Sequence, residues 1–557
     1  MVGTHTGDRS VGAALTTPAP AGGTVPTTEP PRPGVQNILL MGSDLRPDTG
    51  EKYGRSDTMM LVHVDPGGNY VSVLSLPRDL RVDLGTHGYQ KLNAAYAFGG
   101  PTLAITTVQA LTGLKVNHFL DIGFEAFSSI TTALGGIYID VDRRYYFEGY
   151  GYGPIDTQPG YQRLAGTQAL QFVRWRHDDN YDFGRIDRQQ LFLRAAKEQA
   201  MRWSMATRIP SVVSLLAKQV TSDLGTVDAL RLSWWGVKLG MGRVKQVNLA
   251  TTDGYIGGVA WVFATPAAMQ TAVDELLQPP SDSRSSMSTS PVTTGTAPTW
   301  STIVVTPGQG NLASHSLDLR NVSVELYNAS GKPAATAAAS RVLQRLGAHI
   351  LKTGDAPRIG VSVVLSPAWT ATDIMNDPPD AAMVGQALGV FKQVEDNTRR
   401  HIQVYLGADY VVPSANTPLP TFADAQEAQW RWLAAKTPFP LQAPVYVPSE
   451  YTFAGTRIYD ISTDQGPKPA LKVMYRLERQ DQFFGLMETA FMDAPAASPG
   501  EQQTWGGTVY TIVETGSGVD HIWWKKDGTL YWVSNTLADL LSKDQLLRVA
   551  MSMKAAK

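Results

Sequence analysis

Charged side chains stand where apolar segments of strand length begin or end. Asp44 follows the segment NILLM, and Arg55 and Asp57 directly precede TMMLVHV. Arg78 and Asp79 follow VSVLSL, and Lys91 opens KLNAAY further along the chain. Loops at strand ends are where α/β sheets place ligand sites. If these strands are neighbours in one sheet, the six side chains converge.

A second group of charges is concentrated in the segment FVRWRHDDNYDFGRIDRQQ, although only 18% of the chain is charged. Arg174, Arg176 and Arg185 would repel one another in a shared site unless acids or a bound polyanion neutralised them. Asp182 would offset part of this charge in the free protein. We therefore predict that this segment also faces an anionic ligand.

These residue types suit phosphoryl transfer. Mg²⁺ takes oxygen ligands in octahedral geometry and commonly uses only one or two protein carboxylates, a role that fits Asp44 and Asp57. Guanidinium groups bind phosphate oxygens bidentately and keep their charge, whereas Lys91 would contribute a point charge. In such a site catalysis is mostly positioning and charge stabilisation.

Each part also has a plainer interpretation. The charges between residues 174 and 188 would form a solvated salt-bridge patch that contributes roughly 0–1 kcal/mol per pair. Asp44 would be a turn or cap residue, and Lys91 would be a surface lysine near a helix. Arg55 and Asp57 would form a surface pair. Only the order of several motifs together favours the site over these alternatives.

Strand-like and helical segments alternate around these residues. TMMLVHVD and YVSVLSLPRD, joined by the turn PGGN, predict a β-hairpin or neighbouring strands. GPTLAITTVQALTG predicts a helix with Pro101 in its first turn and Gly113 at its C-cap. A further helix is predicted from about residue 188 to 220, with Asp187 and Arg188 capping or flanking its start. This alternation predicts an α/β fold, a mixed central sheet flanked by helices.

Changes in composition divide the 557 residues into five segments. We predict a disordered Thr/Pro-rich spacer, a catalytic domain, a Ser/Thr/Pro linker, a small α/β domain and a sheet-rich α+β last domain, at residues 1–35, 36–278, 279–305, 306–413 and 420–557. In the last domain Asp527-Gly528 predicts a hairpin turn. Ser542 and Gln545 predict the capping box of a closing helix.

Bulk composition excludes several classes of function. A net charge of −2 and a pI near 6.5 give no electrostatic case for nucleic acid. The absence of cysteine removes disulfides, thiolate metal sites and cysteine nucleophiles. No stretch approaches the roughly 20 apolar residues that span a bilayer. The Thr/Pro-rich start is what would remain if an upstream membrane helix had been removed.

Seven motifs carry a resemblance to a known family: NILLMGSD, GRSDTMMLVHVD, SLPRDLRV, KLNAAYAFGG, GGIYIDV, LAGTQALQFVRWRH and DFGRIDRQQ. In this order and spacing they resemble the LytR-CpsA-Psr proteins of Gram-positive cell walls. The resemblance is close over residues 36–200 and looser over the rest of the first domain. VSVELYNASGKPAATAAASRVLQRLGAHI resembles the LytR C-terminal module that is often attached to them.

The resemblance implies a specific activity. Enzymes of this family take a glycopolymer from a polyprenyl-pyrophosphate carrier and attach it to peptidoglycan through a phosphodiester. They act on the extracellular face of the cytoplasmic membrane or in the cell wall, usually with Mg²⁺, and Mn²⁺ is the alternative ion. A membrane contact is expected through the lipid substrate and through an N-terminal helix, if one preceded this start. The sequence leaves the polymer open among teichoic acid, arabinogalactan and capsular polysaccharide.

Carried over position by position, the resemblance also implies residue roles. Asp44 and Asp57 would hold the metal, and Arg55 would stand beside the scissile pyrophosphate. The pyrophosphate would be bound by Arg78, Lys91, Arg174, Arg176, Arg185 and Gln189, with Asp182 orienting the arginines. The segment between RWR and DFGR is commonly one residue longer in the family, so Asp178 and Asp179 receive no role.

Two other functions fit the same residues. In a lipid pyrophosphatase, water would replace the acceptor hydroxyl. In a non-catalytic wall-binding scaffold, the first domain would only retain the lipid pyrophosphate, although simple anion binding has no need for Asp44 and Asp57. The resemblance suggests that apolar side chains after residue 190, such as Phe192, line a tunnel for the polyprenyl chain, but ordinary core packing explains each of them more simply.

Overall fold

The computed structural model describes residues 34–43, 54, 56–148, 154–175, 181–200, 209–280, 312, 317–367, 378–396, 398–477, 482–516 and 518–556. The strands of the first domain are β1 (Gln36–Ser43), β2 (Ser56–Asp65), β3 (Tyr70–Leu76), β4 (Arg81–Asp83), β5 (Tyr89–Lys91), β6 (His118–Gly123), β7 (Ile137–Val141), β8 (Tyr145–Phe147), β9 (Ile155–Thr157), β10 (Gly160–Leu164), β11 (Thr221–Ser222), β12 (Val244–Val247), β13 (Thr252–Ile256) and β14 (Val259–Phe263). Its helices are α1 (Leu92–Thr112), α2 (Phe124–Ala133), α3 (Gly166–Arg174), α4 (Tyr181–Ala200), α5 (Ile209–Gln219), α6 (Thr226–Lys238) and α7 (Pro266–Leu277).

A six-stranded mixed sheet lies at the centre of the first domain, in the order β11-β6-β1-β2-β3-β12. β2 pairs antiparallel with both β1 and β3, so the predicted hairpin is present. β6 joins β1 in parallel, and β12 joins β3 in parallel. The central strands are apolar because helices cover the sheet, and parallel strands buried in this way carry nearly continuous apolar runs. The predicted mixed α/β class is confirmed.

Two helices differ from the sequence-based expectation. Helix α1 begins at Leu92, well before Pro101, and bends at Gly100, whose φ of 59° is open to glycine but strained for other residues. Helix α4 begins at Tyr181, so the prediction that this helix starts near residue 188 is wrong. Arg188 does not flank a helix end. Its guanidinium is fully buried, and Nη2 donates to the Trp175 carbonyl at 2.5 Å.

The described residues of the second region form five strands and two helices. They are β15 (Ser323–Asn328), α8 (Ala335–Arg345), β16 (His349–Asp355), β17 (Val363–Pro367), α9 (Pro378–Leu388), β18 (Gln393–Asp396) and β19 (Ile402–Leu406). The strands form one mixed sheet in the order β16-β15-β19-β17-β18. The last two strands in that order are parallel, and β17 runs antiparallel to β19.

The third region is dominated by a seven-stranded antiparallel sheet. Its elements are α10 (Phe422–Ala434), β20 (Gln442–Ala443), β21 (Tyr451–Ile461), β22 (Lys468–Leu477), β23 (Phe483–Thr489), β24 (Glu501–Trp505), β25 (Thr508–Glu514), β26 (Val519–Lys526), β27 (Thr529–Ser534), α11 (Lys543–Met551) and β28 (Lys554–Ala555). The large sheet has the order β21-β22-β23-β27-β26-β25-β24. Both local predictions are present: positive φ at Asp527 and Gly528 in the β26–β27 turn, and the Ser542–Gln545 capping box.

One hydrophobic core runs through the second and third regions. It joins Val324 and Val404 of the smaller sheet to Trp430 of α10 and then to Phe484 and Trp524 of the larger sheet. The first domain has separate cores. Within the described ranges, no helix combines the length and apolar character that a membrane span requires.

Candidate active site

An apolar cavity lies between strands β1, β2 and β6 and helices α2, α3 and α4. Its empty space, including the open mouth, is about 860 Å³. The apolar lining comprises Leu40, Met41, Met60, Ile122, Phe124, Phe127, Leu170, Val173, Phe192 and Leu193. Four of the predicted site residues line the same cavity: Asp57, Arg174, Arg185 and Gln189. A cavity that is mostly apolar but carries two guanidinium groups suits an amphiphilic anion.

Asp57 is placed by an irregular strand end. The pairing of β1 with β2 shifts register between Gly42 and Ser43, opposite the start of β2. Such irregularities redirect side chains at the edge of a ladder. At this end a Cβ on Gly42 would lie 3.2 Å from the Thr58 Cβ, so glycine allows β1 to approach closely. Asp57 is thereby brought to the cavity rather than to the core.

Arg78 and Lys91 reach the same region through carboxylates. Arg78 Nη1 donates to Asp57 Oδ1 at 2.8 Å, and its Nε lies 3.6 Å from Asp79 Oδ2. Lys91 Nζ lies 2.9 Å from Asp79 Oδ1. Backbone bonds hold the two segments together, because Asn93 N donates to the Arg78 carbonyl at 3.0 Å. Asp79 therefore connects two of the predicted phosphate-binding cations.

Helix α4 contributes Arg185 and Gln189, which are four residues apart and therefore lie on one face of the helix. Arg185 is only 3% exposed. Gln189 Nε2 donates to Thr58 Oγ1 at 2.7 Å and lies 3.4 Å from the Val173 carbonyl. These bonds tie α4 to strand β2 and helix α3 beside Asp57.

Arg174 occupies the last turn of α3. Its guanidinium carbon lies 4.2 Å from the centroid of the Phe124 ring, at the start of α2. A cation over an aromatic face is attracted by the ring quadrupole, which orients the planar group without using all of its donors. Arg174 is thus held at the cavity in part by a cation–π contact.

Six of the ten predicted site residues are described with side chains, and the structure brings them together: Asp57, Arg78, Lys91, Arg174, Arg185 and Gln189. The predictions for Asp44, Arg55 and Arg176 lie outside the described residues, and so does the side chain of Asp182. The described set contains four cations, Arg78, Lys91, Arg174 and Arg185, against two carboxylates, Asp57 and Asp79. This local excess of positive charge favours a polyanionic ligand.

Asp79 was expected to converge with the other strand-end charges, and it anchors two cations, although the sequence assigned it no role. Sequence reasoning missed two contributors: Thr58 receives the Gln189 hydrogen bond, and Phe124 supports Arg174. These two are a hydroxyl and an aromatic ring whose partners are distant along the chain.

Asp121 is a buried acid near the end of β1. It lies on β6 and accepts a hydrogen bond from the Tyr96 hydroxyl. Burial raises the pKa of the Asp121 carboxyl, while hydrogen bonds from Tyr96 and Ser43 lower it, and the net shift is upward. Ser43 is the last residue of β1, so the Asp121 carboxyl lies beside the end of the strand that precedes Asp44. The sequence feature that could have identified Asp121 is its position as a single acid inside the strand-like segment NHFLDI.

Comparisons with known proteins give two family matches. Residues 21–277 match the model of the LytR_cpsA_psr family. Residues 321–410 match the model described as LytR cell envelope-related transcriptional attenuator. Residues 420–557 lie outside both matched ranges.

Curated relatives carry the name polyisoprenyl-teichoic acid–peptidoglycan teichoic acid transferase TagU. The protein from Enterococcus faecalis is 30% identical over 227 residues, which are 40% of this chain and 73% of the relative. The protein from Oceanobacillus iheyensis is 34% identical over 195 residues, 34% of this chain and 58% of that relative. The crystal structure of TagV from B. subtilis is 26% identical with a TM-score of 0.40, and the match covers 43% of this chain and 95% of that one.

Proposed function

Because the chain belongs to the LytR-CpsA-Psr family and is a transferase of that family, we propose that it moves a glycopolymer from a polyprenyl-pyrophosphate carrier onto peptidoglycan. The names of its relatives give polyisoprenyl-teichoic acid and peptidoglycan as the two substrates, which supports both ends of this reaction. The observation that carries the proposal is the lining of one apolar cavity by Asp57, Arg174, Arg185 and Gln189.

The proposed step forms one phosphorus–oxygen bond and breaks another. A hydroxyl oxygen of peptidoglycan attacks the phosphorus that bears the glycopolymer, and its proton passes to a base or to water. The bond from that phosphorus to the bridging oxygen breaks, so the products are the phosphodiester and polyprenyl phosphate. Arg174 and Arg185, with Arg55, would stabilise charge on the leaving phosphate, a role that requires fixed donors rather than covalent chemistry.

We also propose a Mg²⁺ site formed by Asp57 with Asp44. The described part of the donor set fits a hard cation, because Asp57 offers carboxylate oxygens at the cavity beside phosphate-binding cations. Arg78 bonds to Oδ1 of Asp57 and so fixes the orientation of this carboxylate. When bound, the ion would neutralise phosphate charge that the arginines leave uncompensated.

The apolar part of the cavity is proposed to receive the polyprenyl chain. Phe127 and Phe192, whose ring centroids are 5.1 Å apart, lie on its wall with Leu193. Burying such a chain would provide binding free energy of about 25 cal/mol per Å² of apolar area removed from water. A lipid-linked donor in turn places the reaction at the outer surface of the cytoplasmic membrane.

The test is a transfer assay with the whole chain. A polyprenyl-pyrophosphate-linked glycopolymer, peptidoglycan fragments and Mg²⁺ should give the polymer–peptidoglycan phosphodiester. Arg55→Ala should reduce turnover about 10²- to 10³-fold, as removal of one oxyanion donor does elsewhere. Asp57→Ala should also reduce turnover, because it removes a carboxylate ligand of the proposed Mg²⁺. Arg163→Gln, at an exposed ion pair with Asp464, is the control that should retain activity.

Two outcomes would contradict the proposal. Release of free polymer phosphate with or without the acceptor would identify a lipid pyrophosphatase. Tight binding of the donor with no turnover in Mg²⁺ or Mn²⁺ would identify a wall-binding scaffold.

A further inference from the structure

The side of helix α4 away from the cavity is buried against the third region. Arg185, Gln189 and Phe192 line the cavity, whereas Arg194 and Glu198 lie one turn apart and are 5% and 8% exposed. Both of these charged side chains line a second, polar cavity together with Asp520 and His521 of β26. One helix therefore has the candidate active site on one side and a buried charge cluster on the other.

Arg194 makes the central contacts of this cluster. Its Nη1 donates to Asp539 Oδ2 at 2.8 Å, and its Nε lies 3.3 Å from Asp520 Oδ1. Asp539 adopts a left-handed φ of 53°, a conformation that aspartate tolerates better than most residues. Asp539, in the loop after β27, thus combines an unusual backbone conformation with the ion pair to Arg194 of α4.

Glu198 extends the cluster by one helical turn. Ser498 Oγ donates to Glu198 Oε1 at 3.0 Å, and His521 Nδ1 lies 3.9 Å from that oxygen. His521 Nδ1 is 2.7 Å from Asp520 Oδ2, and its Nε2 is 2.7 Å from the Ala496 carbonyl. Both ring nitrogens therefore face acceptors, which is the arrangement of a doubly protonated imidazolium.

Most of the charge in this cluster is compensated within it. Arg194 and the His521 imidazolium offset Asp520 and Asp539, with Glu198 as the remaining acid. Glu198, Asp520 and His521 are also close enough together to be considered as metal ligands. The hydrogen bonds on both imidazole nitrogens and the adjacent guanidinium favour ion pairing over a metal centre, because a cation would have to displace Arg194 or a ring proton.

We propose that Arg194 and Glu198 are positioning residues for the transfer reaction: through the buried cluster, the third region fixes helix α4 so that Arg185 and Gln189 point into the anion-binding cavity. Arg185 and Arg194 are nine residues apart, about 13 Å along the helix. A buried, unpaired charge is costly, so α4 has few alternative positions in which Arg194 keeps both carboxylates. This inference rests on the proposed function.

The experiment compares wild type with Asp539→Asn and Glu198→Gln in two assays: binding of geranylgeranyl pyrophosphate, and glycopolymer transfer. Each variant should lower transfer about 10- to 100-fold, because a displacement of order 1 Å at a catalytic group has that effect. Arg194→Lys, which keeps the charge, should recover part of the activity relative to Arg194→Met. Arg163→Gln, which breaks an exposed ion pair across the same interface, should leave both assays unchanged.

A double-mutant cycle separates positioning from simple destabilisation. In an Arg185→Ala background, Glu198→Gln or Asp539→Asn should reduce transfer much less than in wild type, since their effect acts through Arg185. Full additivity would overturn the inference, as would variants that behave like Arg163→Gln. Stoichiometric zinc that is lost in His521→Gln would also overturn it, by assigning the cluster to a metal. If wild type neither binds the lipid pyrophosphate nor transfers polymer, the proposed function itself is wrong.

Discussion

Arg185 is a buried cation in a largely apolar wall. Desolvation of a guanidinium is costly, so a side chain that is 3% exposed must be stabilised by acids, by hydrogen-bond acceptors or by a ligand. Its neighbours in the cavity are mainly aliphatic and aromatic, with Asp57 as the carboxylate among the lining residues. In the proposed function the substrate pyrophosphate is a further acceptor for this guanidinium, so we infer that substrate affinity depends on the shape of the cation as well as its charge.

A charge-conserving substitution tests this inference. Arg185→Lys should lower transfer about 10- to 100-fold, because a lysine retains the charge but loses the planar fork that bonds two phosphate oxygens. The measurement is kcat/KM for the lipid-linked donor. Arg163→Lys provides the matched control at an exposed arginine of the same domain. Equal activity of Arg185→Lys and wild type would mean that only a point charge is needed at this position.

For individual residues, the sequence predicted which residue types form the site better than it predicted which side chains contact each other. Asp57 and Arg78 were predicted to converge because both stand at strand ends, and their side chains are 2.8 Å apart. The predicted role of Asp57 as a metal ligand stays a prediction. Thr58 and Phe124 were not predicted, because a hydroxyl or a ring in an amphipathic pattern has no distinctive signal until its partner is known.

Helix α4 connects the candidate active site to the rest of the molecule. The prediction placed its start too late because the segment from Asp182 to Arg188 is rich in charge, and charge in short segments is typical of solvated loops. In the structure Arg188 is buried and hydrogen-bonded to a backbone carbonyl. The local pattern predicts that these residues lie in a surface loop. Tertiary contacts instead stabilise them as an internal turn of the helix.

The charge cluster behind α4 gives a pH prediction. Burial alone would lower the pKa of His521, but hydrogen bonding to Asp520 and the charge of Glu198 raise it to about 9. A histidine with a raised pKa stabilises the folded state fully below pH 6.5, its ordinary value, and this contribution is lost as the pH rises through about 9. Burial raises the pKa of Asp539 to about 6, against the charge of Arg194, so its ionisation opposes folding as the pH rises from about 4 to 6.

The Asp539 contribution is already lost once the pH has risen to about 6, and the His521 contribution is lost above pH 6.5, so the wild-type chain should lose stability through His521 between about pH 6.5 and pH 9. The measurement is the thermal unfolding midpoint across that range. His521→Gln should flatten the pH dependence by removing up to about 3 kcal/mol of linked free energy. A slope that is identical in the variant would show that His521 does not titrate in this window.

At the scale of the whole molecule, the third region is docked on the first domain by buried polar contacts as well as aromatic packing. Lys472, which is 1% exposed, places Nζ 2.6 Å from Asp140 Oδ1, and Trp532 Nε1 donates to the other oxygen at 3.1 Å. Tyr161 packs edge-on against Trp532 with ring centroids 5.0 Å apart. The three regions of the described chain therefore do not behave as independent modules.

Breaking the buried pair should be far more costly than breaking an exposed one. Lys472→Met leaves the Asp140 carboxylate uncompensated and should lower the free energy of unfolding by about 3–5 kcal/mol. Arg163→Gln, at the exposed interdomain pair, should lower it by about 0–1 kcal/mol. Urea unfolding of both variants checks the prediction. Adding Asp140→Asn to Lys472→Met should restore part of the loss, and an equal effect of the two single substitutions would contradict it.

This docking could not have been predicted from the sequence. Arg194 and Asp539 are 345 positions apart, and neither stands in a motif that identifies the other. Local periodicity predicted the strands of the third region and its closing helix, because the formation of such elements depends on residues that are close together in the sequence. The contact faces of the separate regions depend on the shape and charge of surfaces that are distant along the chain. A single sequence does not indicate which of these surfaces pair.

The continuous core of the second and third regions restricts where such chains can recombine without loss of folding. A recombination breakpoint between residues 410 and 420 would separate Val404 from Trp430 and expose apolar surface on both fragments. Natural or engineered chimaeras that preserve solubility should therefore inherit these two segments together.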